Sequence, residues 1–292
     1  MIVEATSTPT PAASGRPAGL WRFVRRNVTL VVGLAILGTM LLVAILAPFI
    51  AGDALTMKPV QRLKPPSEAF WFGTDQLGRD VFARTLWGAR ISLLVGLSVA
   101  ALSVVLGLII GLLAGTVRWV EAVVMRFLDG LMAIPSILLA IAMVSLFGAS
   151  VFIVIVAIVI PEVPRVVRLV RAVVMATREQ PYVEAAIAGG AKWWKVLIRH
   201  ILPPTIPALI VQATYICASA ILVEAALSFL GAGTPPEIPT WGNMIASDRI
   251  YLGRAPWCIF YPGVALAIVV LAVNLVGDGL RDRLDPRIAR RM

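Results

Sequence analysis

Ionisable side chains are scarce in the apolar stretches of this chain, and chemistry within a membrane would lie where they occur. Asp129 and Glu224 stand inside or at the edge of long hydrophobic runs, and Glu162 sits between Pro161 and Pro164. An ionised group at a bilayer centre costs about 2.5–3.5 kcal/mol on insertion scales, so each needs a partner, a watery cavity or a proton. Arg126 lies three residues before Asp129, on the same helical face. The first reading of Asp129 is therefore an ion pair with Arg126, and the second a path-lining or gating group. Glu224 has no basic neighbour in sequence and must face protein or water rather than lipid. It reads as a buried hydrogen-bonding group or as part of a translocation path. Glu162 reads as the local partner of Arg165 or Arg168 at a kinked helix end.

Other chemistries find no footing. His200 is the sole histidine, which excludes a multi-histidine metal site. Cys217 lies within an apolar run, where a small buried hydrophobe is expected, and whether it meets Cys258 is open. No G-x-x-x-x-G-K-[ST] string exists to cradle phosphates. Gly107 to Gly115 is glycine-rich but lacks lysine and reads as a close helix-packing stripe. No nucleophile has a recognisable base beside it, so no catalytic, cofactor-binding or metal residue is assigned.

The elements that hold these groups follow from composition. Of 292 residues, 59% are apolar and 14% charged, against about 45–50% and 25% in soluble domains. With 26 Lys and Arg against 16 Asp and Glu the chain carries +10. The basic residues fall between apolar runs, which fits the positive-inside bias of membrane loops and not nucleic-acid binding.

Charge-free runs cover 27–52, 91–117, 130–161, 201–223 and 255–277. Each exceeds the ~20 residues needed to cross the hydrocarbon, and the third is long enough to fold back at Phe147-Gly148-Ala149-Ser150. Five spans or six are compatible with these runs. Six leaves the basic segment Arg165 to Arg199 on the cytoplasmic side and is the reading taken. The expected fold is an all-α polytopic membrane protein with six transmembrane helices, near 28–50, 91–117, 122–147, 150–171, 205–231 and 258–279. Eighteen of the 26 basic residues then lie inside, and both termini are cytoplasmic. Residues 1–18 read as a disordered tail, 19–27 as an interfacial helix and 28–292 as the transmembrane domain. Extracytoplasmic loops span 51–90 and 232–257, and a cytoplasmic loop spans 176–204.

In the loop 51–90, Gly73 and Gly78 suggest tight turns, and Asp80 can pair with Arg84 one turn on; the segment reads as a packed cap or as a lid or partner contact. In the loop 176–204, Pro181 suits a helix start and Glu184 its positive end. Gly189-Gly190 makes a turn, Lys192 to Arg199 a second short helix, and Pro203-Pro204 a stop before the fifth span. Arg165, Arg168 and Arg171 recur every three residues, either snorkelling to headgroups or bracing their helix against this loop.

Glu184-Ala185-Ala186, then Gly190, then a short helix ending at Leu202-Pro203 resembles the EAA loop of ABC-importer permease subunits. His200 stands where that family often carries Ile. Gly73 to Arg90, Glu224 to Gly231 with Trp241 to Met244, and Asn274 to Arg287 resemble three segments of its dipeptide/oligopeptide/nickel branch, and of the C-type permease within it. The resemblance covers roughly residues 25–288. It implies the type I ABC importer permease fold in a bacterial cytoplasmic (inner) membrane. It also implies docking to a separate ATPase through Tyr182, Glu184, Ala185, Ala186, Gly190 and Trp193.

The implied partners are a B-type permease subunit, two ATP-binding subunits, an extracytoplasmic substrate-binding protein and the lipid bilayer, with no nucleic acid. No cofactor would bind directly; ATP and Mg would be used by the partner ATPase. The implied solute is a di- or oligopeptide, with nickel, glutathione or another small solute as alternatives in the same branch. An ion-gradient carrier is the rival class. It would use Asp129 and Glu224 for coupling but leaves the helix-turn-helix at 181–200 without a role.

Overall fold

A computed structural model describes residues 27–284, so the expected tail at 1–18, most of the interfacial helix at 19–27 and the ending around Arg287 lie outside the described residues. Helices α1 (Val28–Ile50), α2 (Val81–Thr116), α3 (Arg118–Met132), α4 (Ser136–Phe147) and α5 (Val151–Arg178) make the first part. After them come α6 (Pro181–Ala188), α7 (Trp193–Val196), α8 (Leu202–Phe229), α9 (Trp241–Asp248) and α10 (Trp257–Leu284). By length and composition α1, α2, the continuous run Trp193–Phe229 and α10 can cross a membrane, and the bent pair α3–α4 can count as a fifth crossing. The sixth helical unit, α5, is 28 residues long, with a charge-free first stretch of eleven residues and its charges from Glu162 onward.

Several boundaries differ from expectation. α2 starts ten residues before the charge-free run, because the Asp80 side chain caps it by accepting from the Phe82 N–H at 2.9 Å. Its 36 residues reach about 54 Å and project beyond a ~30 Å hydrocarbon layer. The expected third span is broken: α3 and α4 meet at 85°. Pro135 lacks an N–H and disfavours helix at Ile134, so the first helix ends at Met132 and a second starts at Ser136. The fold-back at Gly148 is present, with the Ser150 hydroxyl accepting from the Ile153 N–H to start α5. α5 then runs unbroken through Pro161 and Pro164 to Arg178, not to a kinked end at Glu162.

The bundle is built on close approach. Gly107, Gly111 and Gly115 on α2 lie against Val166, Val170 and Val174 on α5. A β-carbon on Gly111 would fall 2.7 Å from Val170 Cβ, and one on Gly115 2.6 Å from Val174 Cγ1. The stripe therefore acts as expected, letting two backbones meet where lipid offers no hydrophobic drive. α1 lies on α10 in the same manner, through Gly33 against Leu275 and Gly279 against Leu30. α8 closes the core against α2 and α10. Cys217 and Cys258 are buried, free thiols.

At the α9 end the segment before α2 forms a knot that caps the bundle. Gly73 and Gly78 both adopt φ +74, the expected tight turns. The Thr74 carbonyl accepts from Trp257 Nε1 at 3.2 Å and Cys258 Sγ at 3.3 Å. Asp80 does not pair with Arg84, since its carboxylate is committed to the cap of α2. Asp75 takes that role, accepting from Arg79 Nε at 2.6 Å, with Arg84 Nε at 3.7 Å. Asp248 of α9 joins them by accepting from the Gln76 N–H at 3.5 Å. All four charged groups are at least 95% buried. Burial, then the facing Asp75 charge, pushes the Asp248 carboxyl up to about 6, against the opposing pull of the Gln76 N–H, Arg84 and Arg79.

Two outcomes follow from this packing. Gly111→Leu is expected to cost about 3 kcal/mol or more by overpacking, read as loss of folded protein in a detergent thermal melt. The raised carboxyl of Asp248 penalises the folded state when ionised. The penalty is present above pH 6 and disappears as pH falls through 6 toward the ordinary range. Lowering pH from about 7 to about 5 should therefore raise the melting midpoint, by about 1.4 kcal/mol of stability at most, and Asp248→Asn should flatten that rise.

Candidate functional site

At the opposite end of the bundle α5 gives way to an exposed helix-turn-helix. Pro181 opens α6 at its first turn, where a missing N–H costs nothing. One residue faces inward: Val183 is fully buried in the main core. The chain reverses at Gly190, which adopts φ +77, with the Ala191 N–H donating to Ala186 O at 3.1 Å and the Gly189 N–H to Ala185 O at 2.9 Å. This is a glycine-terminated helix end, and a side chain at 190 would be strained. Val196 and Ile201 return to the same core as Val183, so the element is pinned at three points.

The outward surface is unlike a solvated loop. Tyr182, Ile187, Trp193, Trp194 and Ile198 are each between 46% and 63% exposed. They surround Glu184, Ala185 and Gly190, also exposed, and the half-buried Ala186. The six residues singled out from sequence, Tyr182, Glu184, Ala185, Ala186, Gly190 and Trp193, thus share one short element. Between it and the end of α2 runs an apolar groove of about 410 Å³, lined among others by Val117, Ile187, Trp193 and Leu197. Exposed aromatic and aliphatic side chains on a pinned scaffold, beside an apolar groove, suit contact with another protein.

The second half of the element differs from expectation. Pro203-Pro204 do not stop the helix, and the run from Trp193 to Phe229 is continuous. Residues Leu197–Ile201 widen into a π turn, in which the Leu202 N–H donates to Leu197 O, five residues back. The prolines then fall in the first turn of α8, where their missing donors are tolerated.

Asp129 and Glu224 are not brought together. Asp129 pairs across helices with Arg168 at 2.6 Å, not with Arg126. Arg165 holds Glu162 at 2.6 Å, and Arg171 holds Glu121. The arginine stripe therefore braces α5 mainly against α3, and not against the loop that follows. Sequence distance explains the miss: Asp129 and Arg168 stand 39 residues apart. Glu224 faces protein, fully buried near the α9 end. Its Oε1 accepts from Ser228 Oγ and Thr240 Oγ1, both at 2.9 Å, which ties α8 to the N-cap of α9. Sequence reasoning also passed over Arg178, whose Nη1 donates to Gly115 O at 3.5 Å in the last turn of α2. A basic residue ending a helix just before a loop was the available signal.

Half-exposed pairs contribute little. A double-mutant cycle on Asp129→Asn and Arg168→Gln in detergent should give a coupling below about 1 kcal/mol, measured by denaturant or thermal unfolding.

Comparison with known proteins places this architecture. Residues 103–290 match the family model described as binding-protein-dependent transport system inner membrane component. Residues 18–66 match the N-terminal TM domain of oligopeptide transport permease C. A Sinorhizobium fredii protein named "Probable peptide ABC transporter permease protein" is 56% identical over 97% of this chain and 98% of its own length. A dipeptide transport system permease protein of Alkalihalophilus pseudofirmus is 40% identical over 99% of this chain and 97% of its own. A glutathione transport system permease protein of Pectobacterium atrosepticum is 40% identical over 91% of this chain and 89% of its own.

Proposed function

This chain belongs to the family of binding-protein-dependent transport system inner membrane components, and on that premise we propose that it forms half of the translocation path of an ATP-driven importer of di- or oligopeptides. It is a multi-pass inner-membrane transport subunit and not an enzyme; ATP hydrolysis belongs to a separate subunit. The observation that carries the mechanism is the exposed apolar surface on the pinned Pro181–Ile201 element. The substrate class rests on the names of relatives, of which the peptide and dipeptide permeases span nearly the full chain.

In this reading Tyr182, Glu184, Ala185, Ala186, Gly190 and Trp193 meet one of two ATP-binding subunits, with both termini on the same cytoplasmic side. A B-type permease completes the path, and an extracytoplasmic binding protein delivers solute to the α9 end. Mg and ATP act in the partner. Closure of the ATPase pair displaces the element and the helices fixed to it, switching which side the path opens to. That requires the ATPase to contact the two states differently. Asp129, exposed opposite Arg168, is the path or gating candidate of the two membrane carboxylates; Glu224 anchors α9. Coupling to an ion gradient is disfavoured because both carboxylates already hold hydrogen-bonding partners.

Glu184→Lys and Gly190→Asp test the docking assignment. Both variants should insert at wild-type levels, lose at least about ten-fold in co-purified ATPase, equivalent to about 1.4 kcal/mol, and lose peptide uptake. Wild-type ATPase recovery and uptake in both would remove it.

A further inference from the structure

The π turn at Leu197–Ile201 sits where the exposed element becomes a membrane helix, and its cause is local. In an α-helix the carbonyls of Arg199 and His200 would accept from the N–H groups of residues 203 and 204. Both are proline and have none. The Leu202 N–H reaches past Ile198 to Leu197 O instead. The turn is thus deprived of ladder bonds at its junction with α8, while its flanks are fixed: Val183, Val196 and Ile201 are anchored in the core. A second contact is supplied from the first helix. Tyr182 Oη donates to His200 O at 3.4 Å, one of the carbonyls the prolines leave without an α-helical donor. The rings of Tyr182 and His200 lie 6.3 Å apart. Interrupted ladders of this kind are where helices bend.

We propose that Pro203 and Pro204 hold open a flexing joint at Leu197–Ile201, through which the docking element turns against α8, and that Tyr182 is the positioning residue that sets its angle. The proposal rests on the reading of this element as the ATPase contact. It assigns Tyr182 an inward role toward His200 in addition to its place on the outer surface. A rigid α-helical connection would transmit rotation of α6 directly into the outer half of α8. A wide turn lets α6 follow the ATPase while α8 keeps its packing on α2 and α10.

The test uses the full transporter in lipid nanodiscs, with spin labels at Ala188→Cys and Tyr215→Cys, both exposed positions, and Cys217 and Cys258 replaced by alanine. The label distance is measured nucleotide-free and after trapping with ATP and vanadate. The wild-type joint should shift that distance by about 3 Å or more. Pro203→Ala with Pro204→Ala, which restores both donors, should reduce the shift at least two-fold while the ATPase still co-purifies. Tyr182→Phe, which keeps the ring and removes the donor, should broaden the nucleotide-free distribution. An unchanged shift in the double alanine variant, or no shift in the wild type with the ATPase bound, overturns the joint. Should the double variant fail to fold, an unchanged distribution in Tyr182→Phe overturns the positioning role, and a broadened one supports it. Absence of any ATPase from the wild-type preparation instead overturns the docking reading itself.

Discussion

The backbones of α2 and α5 meet along Gly107, Gly111 and Gly115 against Val166, Val170 and Val174, and the placement of everything at that end of the molecule depends on this contact. In hydrocarbon, apolar side chains gain nothing by leaving lipid for one another, so shape and close approach decide which helices pair. The stripe continues to the last turn of α2. It therefore brings Gly115 O within reach of Arg178, two residues before the turn into α6. Val183, the buried residue of α6, then enters the same core as the valines of α5. The exposed element is thus a direct continuation of the α2–α5 contact.

Charges in the apolar stretches obey a single rule: among the described residues Glu121, Asp129, Glu162 and Glu224 each have an identifiable donor. Glu121, Asp129 and Glu162 take Arg171, Arg168 and Arg165 in order along α5. Glu224 takes two hydroxyls. At the capping end Asp75 and Asp248 face Arg79 and Arg84 in a buried group of balanced charge, whose strongest member is the Asp75–Arg79 contact. Asp75 is the member the group cannot lose, since both Arg79 and Arg84 face it and a buried guanidinium left unpaired at that depth costs several kcal/mol, whereas burial and Asp75 favour the protonated form of Asp248. The two ends are therefore built differently: a closed polar knot at one, an apolar protruding surface at the other.

The parts of this arrangement legible in the sequence were those set by local signals. Hydrocarbon thickness imposes a length threshold, so α1 and α10 were readable from charge-free runs. Pro181, Gly189 and Gly190 fixed α6 and its turn within a few residues. The misses were long-range or cooperative. The partner of Asp129 comes from another helix, while the local signal points to the nearer Arg126. Pro135 was a visible signal for the 85° break, yet the apolar run around it dominated. Pro203 and Pro204 suggested a stop because proline breaks an α ladder; a π turn absorbed the loss before them, a solution no single residue announces. Asp80 has the spacing of an ion-pair partner for Arg84, but the start of α2 needs it as a cap.

The central claim, that the Pro181–Ile201 element is the seat of a separate ATP-hydrolysing subunit, is tested most directly by photo-crosslinking. A photoreactive amino acid replaces Ile187, exposed at the tip of α6, in membranes containing the native complex, and the adduct is identified by mass spectrometry. The account predicts a covalent adduct with the nucleotide-binding subunit. Adducts only with lipid, or only with other parts of this chain, would contradict it.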